Sequence, residues 1–133
     1  MISVDTTFLI DLWRNRSDRQ HPAVRILKRF ETESFCVPAH AAGEFLEGAA
    51  SVSEKRTRES LVFLNLFNVT NIGIETARHY AVIVAHLRKQ SLLKGASKPD
   101  MWIAASAVEH ASPLVTRNVK HYESVPDLTL IPY

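Results

Sequence analysis

At 133 residues the chain is long enough to bury a real core and too short for two average domains, so residues 1–133 are expected to form a single domain. Apolar residues make up 46% and charges of both signs are interspersed, so a net charge of +2 does not by itself indicate a nucleic-acid partner. The single cysteine, Cys36, excludes an internal disulfide. With no basic-then-apolar leader and no apolar stretch of bilayer length, a cytoplasmic protein without membrane contact is expected.

The opening Met1-Ile2-Ser3-Val4 reads as a strand, and Thr6 to Trp13 continues as a helix for which Asp5 is a natural N-cap. Arg14 to Gln20 is polar and reads as a loop. From Pro22, apolar residues Ala23, Val24, Leu27 and Phe30 recur at helical spacing to about Glu33. Ser34 to Val37 is a short strand stopped by Pro38, and a helix carrying Glu44 among small residues follows. Ser53 to Phe67 is expected to be helical with Leu61, Leu64 and Phe67 inward and Lys55, Arg56, Arg58 and Glu59 outward. Asn68 to Ile72 is a third strand. Glu75 to about Leu93 is the longest helix, with Ala77, Tyr80, Ala81, Val84, Leu87 and Ser91 on one face, and His79 and His86 on its polar side. Lys94 to Lys98 is a linker, after which an alanine-rich helix runs from Pro99-Asp100 to about His110. Pro113 to Thr116 and Leu128 to Ile131 complete five strands. Strands alternating with helices predict an α/β fold with a mostly parallel sheet covered on both faces.

Three carboxylates stand where a strand ends or a helix begins or turns inward: Asp5, Glu44 and Asp100. In a parallel sheet such positions converge at the carboxyl edge of the strands. Gathered there, three acids repel one another unless a cation shares the site, which points to a metal-dependent enzyme. Oxygen-only ligation suits Mg²⁺ or Mn²⁺, which keep several waters and take one or two carboxylates plus phosphate oxygens. Each acid also has a purely structural role open to it. Asp5 can simply cap its helix, Ser97-Lys98-Pro99-Asp100 fits a capping box, and Glu44 can be surface. Zinc spacing, glycine-rich phosphate loops and a Gly-x-Ser-x-Gly elbow are all absent.

Taken in order, Val4-Asp5-Thr6-Thr7, Glu44-Phe45-Leu46-Glu47-Gly48, Pro99-Asp100-Met101-Trp102-Ile103-Ala104-Ala105 and Leu114-Val115-Thr116-Arg117-Asn118 resemble the PIN domains, and more narrowly the VapC-type toxins of toxin–antitoxin pairs. The resemblance implies a PIN-like three-layer sandwich with about five strands. It implies a Mg²⁺- or Mn²⁺-dependent endoribonuclease held inactive by a cognate antitoxin, acting as a homodimer. Asp5, Glu44 and Asp100 match the family's three acids, as metal ligands and catalytic residues. Thr6, Thr7, Thr116 and Asn118 match its supporting polar positions. His121 stands where many relatives carry a fourth acid, so a site completed by Asn118 and water, or a weakly held second metal, is implied.

Substrate phosphates require cations, and Arg14, Arg16, Lys94, Lys98, Arg117 and Lys120 lie close in sequence to the acid motifs; solvated surface charge is the equal alternative for each. Phe8, Leu12, Trp13, Phe63 and Phe67 supply apolar area for the core or for a partner helix. Three rival readings remain open at this level. The same acids could serve DNA or phosphomonoester hydrolysis, or the chain could be a non-catalytic PIN-like module binding RNA or protein with a degraded metal site, or the acids could only cap helices.

Overall fold

The computed structural model describes residues 1–133. Its five strands are β1 Ile2–Val4, β2 Phe35–Pro38, β3 Asn68–Thr70, β4 Leu114–Thr116 and β5 Leu130–Pro132. Between them lie α1 Thr6–Asn15, α2 Pro22–Arg29, α3 Ala39–Ala50, α4 Glu54–Leu64, α5 Ile74–Lys89, α6 Lys98–Glu109 and α7 Val119–Tyr122, with a single 3-10 turn at Leu93–Gly95. The sheet order is β3-β2-β1-β4-β5 and every pairing is parallel.

Each step between neighbouring strands is a helical crossover, and right-handed crossovers place α1–α4 on one face and α5–α7 on the other. Helix contacts agree: α1 meets α2 and α3, α3 meets α4, and α5 packs along α6, which meets α7. The result is the three-layer α/β sandwich expected from the sequence. The three inner strands are short and apolar because both sheet faces are covered, β1 and β4 being buried at every residue. Helix α6 packs so closely that Met101, Ile103, Ala104, Ala105 and Ala107 lose all solvent contact. No helix is long and apolar enough to cross a membrane.

β1 is the central strand, and the chain leaves it toward β2 on one side while β4 pairs on the other. The strand order therefore reverses between β1 and β4. Ligands of open parallel sheets bind at such a switch point, beyond the carboxyl ends of the strands. Asp5 directly follows β1, and Arg117 and Asn118 directly follow β4.

Several element details differ from the sequence expectation. α2 stops at Arg29 rather than Glu33, and α4 stops at Leu64 rather than Phe67. Leu61, expected inward, is 48% exposed, and the buried side of α4 is Ser60, Phe63 and Leu64. A three-residue step turns a helix by 300°, so Leu61, Leu64 and Phe67 drift apart around it instead of forming a seam. On α5 the buried face is Thr76, Ile83, Val84 and Leu87; Ala81 is exposed and Ser91 lies past the helix end at φ 56°. The expected linker contains the 3-10 turn, and the short helix α7 was not anticipated.

Candidate active site

Asp5 takes an extended backbone (φ −89°, ψ 173°) that ends β1 and starts α1, and its side chain bridges the two strands of the switch point. Its Oδ1 accepts the Phe8 N–H at 2.8 Å, as an N-cap does, while Oδ2 accepts the Thr116 hydroxyl at 2.6 Å. Capping uses only one oxygen, so the capping and site roles coexist. The residue is 2% exposed. Burial, with the charges of Asp100 and Asp11, outweighs the Thr116 and Phe8 hydrogen bonds and leaves the carboxyl raised to about 6.

Glu44 projects from α3 toward the start of α1, where the Thr6 hydroxyl donates to its Oε1 at 3.0 Å and His40 Nε2 lies 3.8 Å away. Asp100, third residue of α6, is partly buried. The Tyr122 hydroxyl donates to its Oδ1 at 3.1 Å, and His121 Nδ1 sits 2.9 Å from Oδ2. The capping box expected here is not made: Ser97 offers no side-chain bond, and α6 begins with Lys98 and Pro99 in its first turn.

Tyr122 lies within reach of the charges of all three acids. Its hydroxyl is held far above the usual phenol range by burial first, then by the charges of Asp5 and Asp100, its bond to Asp100, and the charge of Glu44. Thus the charges of Asp5 between β1 and α1, Asp100 on α6 and Glu44 on α3 all reach one buried phenol. Around them Asn118 donates its side-chain N–H to Thr7 Oγ1 at 3.0 Å and its backbone N–H to Thr116 Oγ1 at 2.9 Å, locking the β4 exit against α1. Thr116, Asn118 and Thr7 thus form a chain of bonds from Asp5, while Thr6 attaches to Glu44 and His121 to Asp100.

None of the three acids is paired with a lysine or arginine; their only ionic neighbours are His40 and His121. No three His, Cys, Asp or Glu side chains stand close enough together to enclose an ion at once. Asp5, Glu44 and Asp100 instead turn oxygens toward hydroxyls and a ring nitrogen. Such a donor set, carboxylate oxygens in excess of cations with hydroxyl groups between, matches a hydrated hard cation that takes one or two protein oxygens directly.

The candidate cations divide. Arg14 is exposed and borders a hollow that Glu44 also lines. Arg16 lies over the Trp13 ring at 4.2 Å, donates to the Trp13 carbonyl and lines an apolar groove away from Glu44. Arg117 pairs with Asp11 Oδ2 at 3.1 Å. Lys94 and Lys98 are exposed on the approach to Asp100, and Lys120 shares a small hollow with His121.

Three site residues escape sequence reasoning. Asp11 is buried between Ile10 and Leu12, where it accepts from Arg117 and from the Tyr133 hydroxyl at 2.8 Å. A charge inside an apolar helix stretch was the available signal. Tyr122 carries none beyond closeness to His121, whereas His40 is placed beside Glu44 by its i,i+4 spacing. Arg56, expected outward, is half buried with its guanidinium 5.0 Å from the Trp13 ring centre.

With this arrangement in view, the family model described as PIN domain matches residues 2–126. The chain belongs to the PIN domain family. Within it the VapC-type resemblance read from the motifs holds. The chain is 32% identical over 93 residues to Ribonuclease VapC of Rickettsia bellii, a match covering 66% of this chain and 68% of that protein. It is 29% identical over 130 residues to Ribonuclease VapC1 of Methanocaldococcus jannaschii, covering 97% and 84%. Among solved structures, VapBC-1 from nontypeable Haemophilus influenzae superposes with a TM-score of 0.83 at 24% identity, covering 99% of this chain and 98% of the other. The toxin–antitoxin complex from Klebsiella pneumoniae gives 0.75 at 26% identity, covering 100% and 98%.

Proposed function

We propose that this chain is a Mg²⁺- or Mn²⁺-dependent endoribonuclease of the VapC type, the toxin of a toxin–antitoxin pair. The reading is supported by Asp5 spanning the exits of β1 and β4, Glu44 held by Thr6 at the start of α1 and Asp100 held by Tyr122, none of them with an arginine or lysine to neutralise it. The ribonuclease names of its relatives, and the VapBC complexes among its structural neighbours, support the substrate class and the partner.

Asp5, Asp100 and Glu44 would hold the ion. When bound it supplies Lewis-acid polarisation of the phosphate and acidification of water. The chain's own groups do the positioning. Thr116 and the Phe8 N–H fix Asp5, Thr6 fixes Glu44, and the protonated Tyr122 hydroxyl holds Asp100 by donating to it. Water adds to the scissile phosphorus and the 3′ oxygen leaves, giving a 3′-hydroxyl and a 5′-phosphate. Arg14, Lys98 and Lys120 would meet the strand's phosphates, whereas Arg117 is already paired with Asp11.

For the antitoxin, an apolar groove of about 390 Å³ between α1, α2, β2 and α4 is lined by Leu12, Val24, Leu27, Phe35, Phe63 and Phe67. An amphipathic segment laid there would cover these residues. Exposed Val69, Ile72, Ile74 and Val82 around the start of α5 favour a homodimer.

Purified protein should cleave single-stranded RNA with Mg²⁺ or Mn²⁺, lose activity in EDTA, and lose it as Asp5→Asn or Asp100→Asn with the fold intact. Unchanged cleavage in those variants overturns the assignment, and preferential hydrolysis of DNA or of a phosphomonoester redirects it. One observation favours the non-catalytic alternative: His121 occupies an Asp100 oxygen. Calorimetric titration with Mn²⁺ separates the two, because a degraded site binds no ion.

A further inference from the structure

Beside Glu44, α1, α3 and α4 enclose a hollow of about 170 Å³ whose walls include Trp13, Arg14, Phe45, Val52 and Arg56. Gly48 and Ala49 also line it, and a Cβ on Gly48 would meet nothing within 4 Å, so small residues on α3 keep it open. Arg14 and Arg56 have no carboxylate partner, unlike Arg58, which pairs with Glu54 at 3.8 Å, and Arg117, which pairs with Asp11. Arg56 is held in place because its guanidinium lies over the Trp13 ring. A preorganised, unpaired guanidinium in a concavity is suited to a phosphate, which it can grip through parallel N–H donors. A carboxylate partner would suit it equally in isolation. The Glu44 wall, however, joins this hollow to the proposed cleavage site, where an RNA strand must continue past the scissile bond.

We propose that this hollow is a second RNA subsite, in which Arg14 and Arg56 hold a phosphate flanking the scissile phosphodiester. The proposal rests on the ribonuclease reading above. It assigns Arg56, apparently a surface helix charge, to substrate binding, with Trp13 as its positioning residue.

The test is cleavage of a short single-stranded oligoribonucleotide in Mg²⁺ across a range of salt, comparing wild type with Arg56→Gln, Gly48→Asp and Arg58→Gln. A single lost phosphate contact lowers the salt slope of log affinity by about 0.7, which is a fivefold loss between about 1 M and 0.1 M salt. Arg56→Gln should therefore raise KM about fivefold at 0.1 M salt, with kcat unchanged and a shallower salt dependence. Gly48→Asp, which places a carboxylate in the hollow without removing any packing, should raise KM in the same direction with an unchanged melting temperature. Arg58→Gln should behave as wild type. If Arg56→Gln and Gly48→Asp both match wild type in KM and salt slope, the proposal is overturned and the hollow belongs to a protein side chain instead. A wild-type protein that cleaves no RNA defeats the ribonuclease reading before the comparison begins.

Discussion

Replacing Asp5 by Asn should make the metal-free protein more stable at neutral pH while abolishing its chemistry. Asp5 is 2% exposed, and burial with the field of Asp100 raises its carboxyl from 3.8 to about 6. Between those two values the folded state binds more protons than the unfolded state, so stability falls as pH rises through the window. The contribution is fully present below about pH 4 and lost above about pH 6. A shift from 3.8 to about 6 corresponds to roughly 3 kcal/mol. Asparagine is as good an N-cap as aspartate and keeps the Phe8 bond, and its amide can donate to the Thr116 oxygen. Asp5→Asn should thus gain up to about 3 kcal/mol at pH 7 in EDTA, or roughly 1.5 M in urea midpoint. Urea unfolding from pH 4 to 8 reads it directly: wild type loses stability across the window and the variant does not. Adding Mg²⁺ at 100 times its dissociation constant should restore about 2.7 kcal/mol to wild type and little to the variant. A variant less stable than wild type at pH 7, or sharing its pH profile, refutes the electrostatic argument.

Tyr122→Phe keeps the buried ring and deletes the hydroxyl that holds Asp100. RNA cleavage should drop about tenfold, the equivalent of one hydrogen bond, in steady-state assays while the melting temperature barely moves. His121→Asp places an acid where the imidazole meets Asp100 and should tighten Mn²⁺ binding several-fold by calorimetry; unchanged or weaker binding would show that an acid at this position adds nothing to the site. Phe63→Ala opens a cavity against Trp13, Phe45 and Phe67 and should cost about 3–5 kcal/mol in urea unfolding.

How much of this was legible in the chain differs element by element. β1, α1 and α6 read clearly because local signals agree with tertiary burial: Asp5 is both cap and strand exit, and the alanine-rich α6 is buried throughout. α4 and α5 misled because their apolar residues are spread around the helix, leaving Leu61 and Ala81 outside while Ser60 and Thr76 are packed inside. Thr76 survives burial through its bonds to Glu109 and the Gly73 N–H, which spacing cannot reveal. In the site, the three acids could be picked out as strand-exit and helix residues. Thr116 could be named only through the family resemblance, since it reaches Asp5 only once β4 is laid beside β1, and the Tyr122 bond to Asp100 could not be named at all. Asp11 and Arg56 look like ordinary helix charges until Arg117, Tyr133 and Trp13 close over them.

Diffraction from crystals soaked in Mn²⁺, read by its anomalous signal, puts the least inference between molecule and conclusion. A peak about 2.1 Å from oxygens of Asp5 or Asp100, with Glu44 reaching it directly or through water, is the expected result. A peak at some other place on the surface, or none at saturating Mn²⁺, would contradict a cation-binding role for these carboxylates.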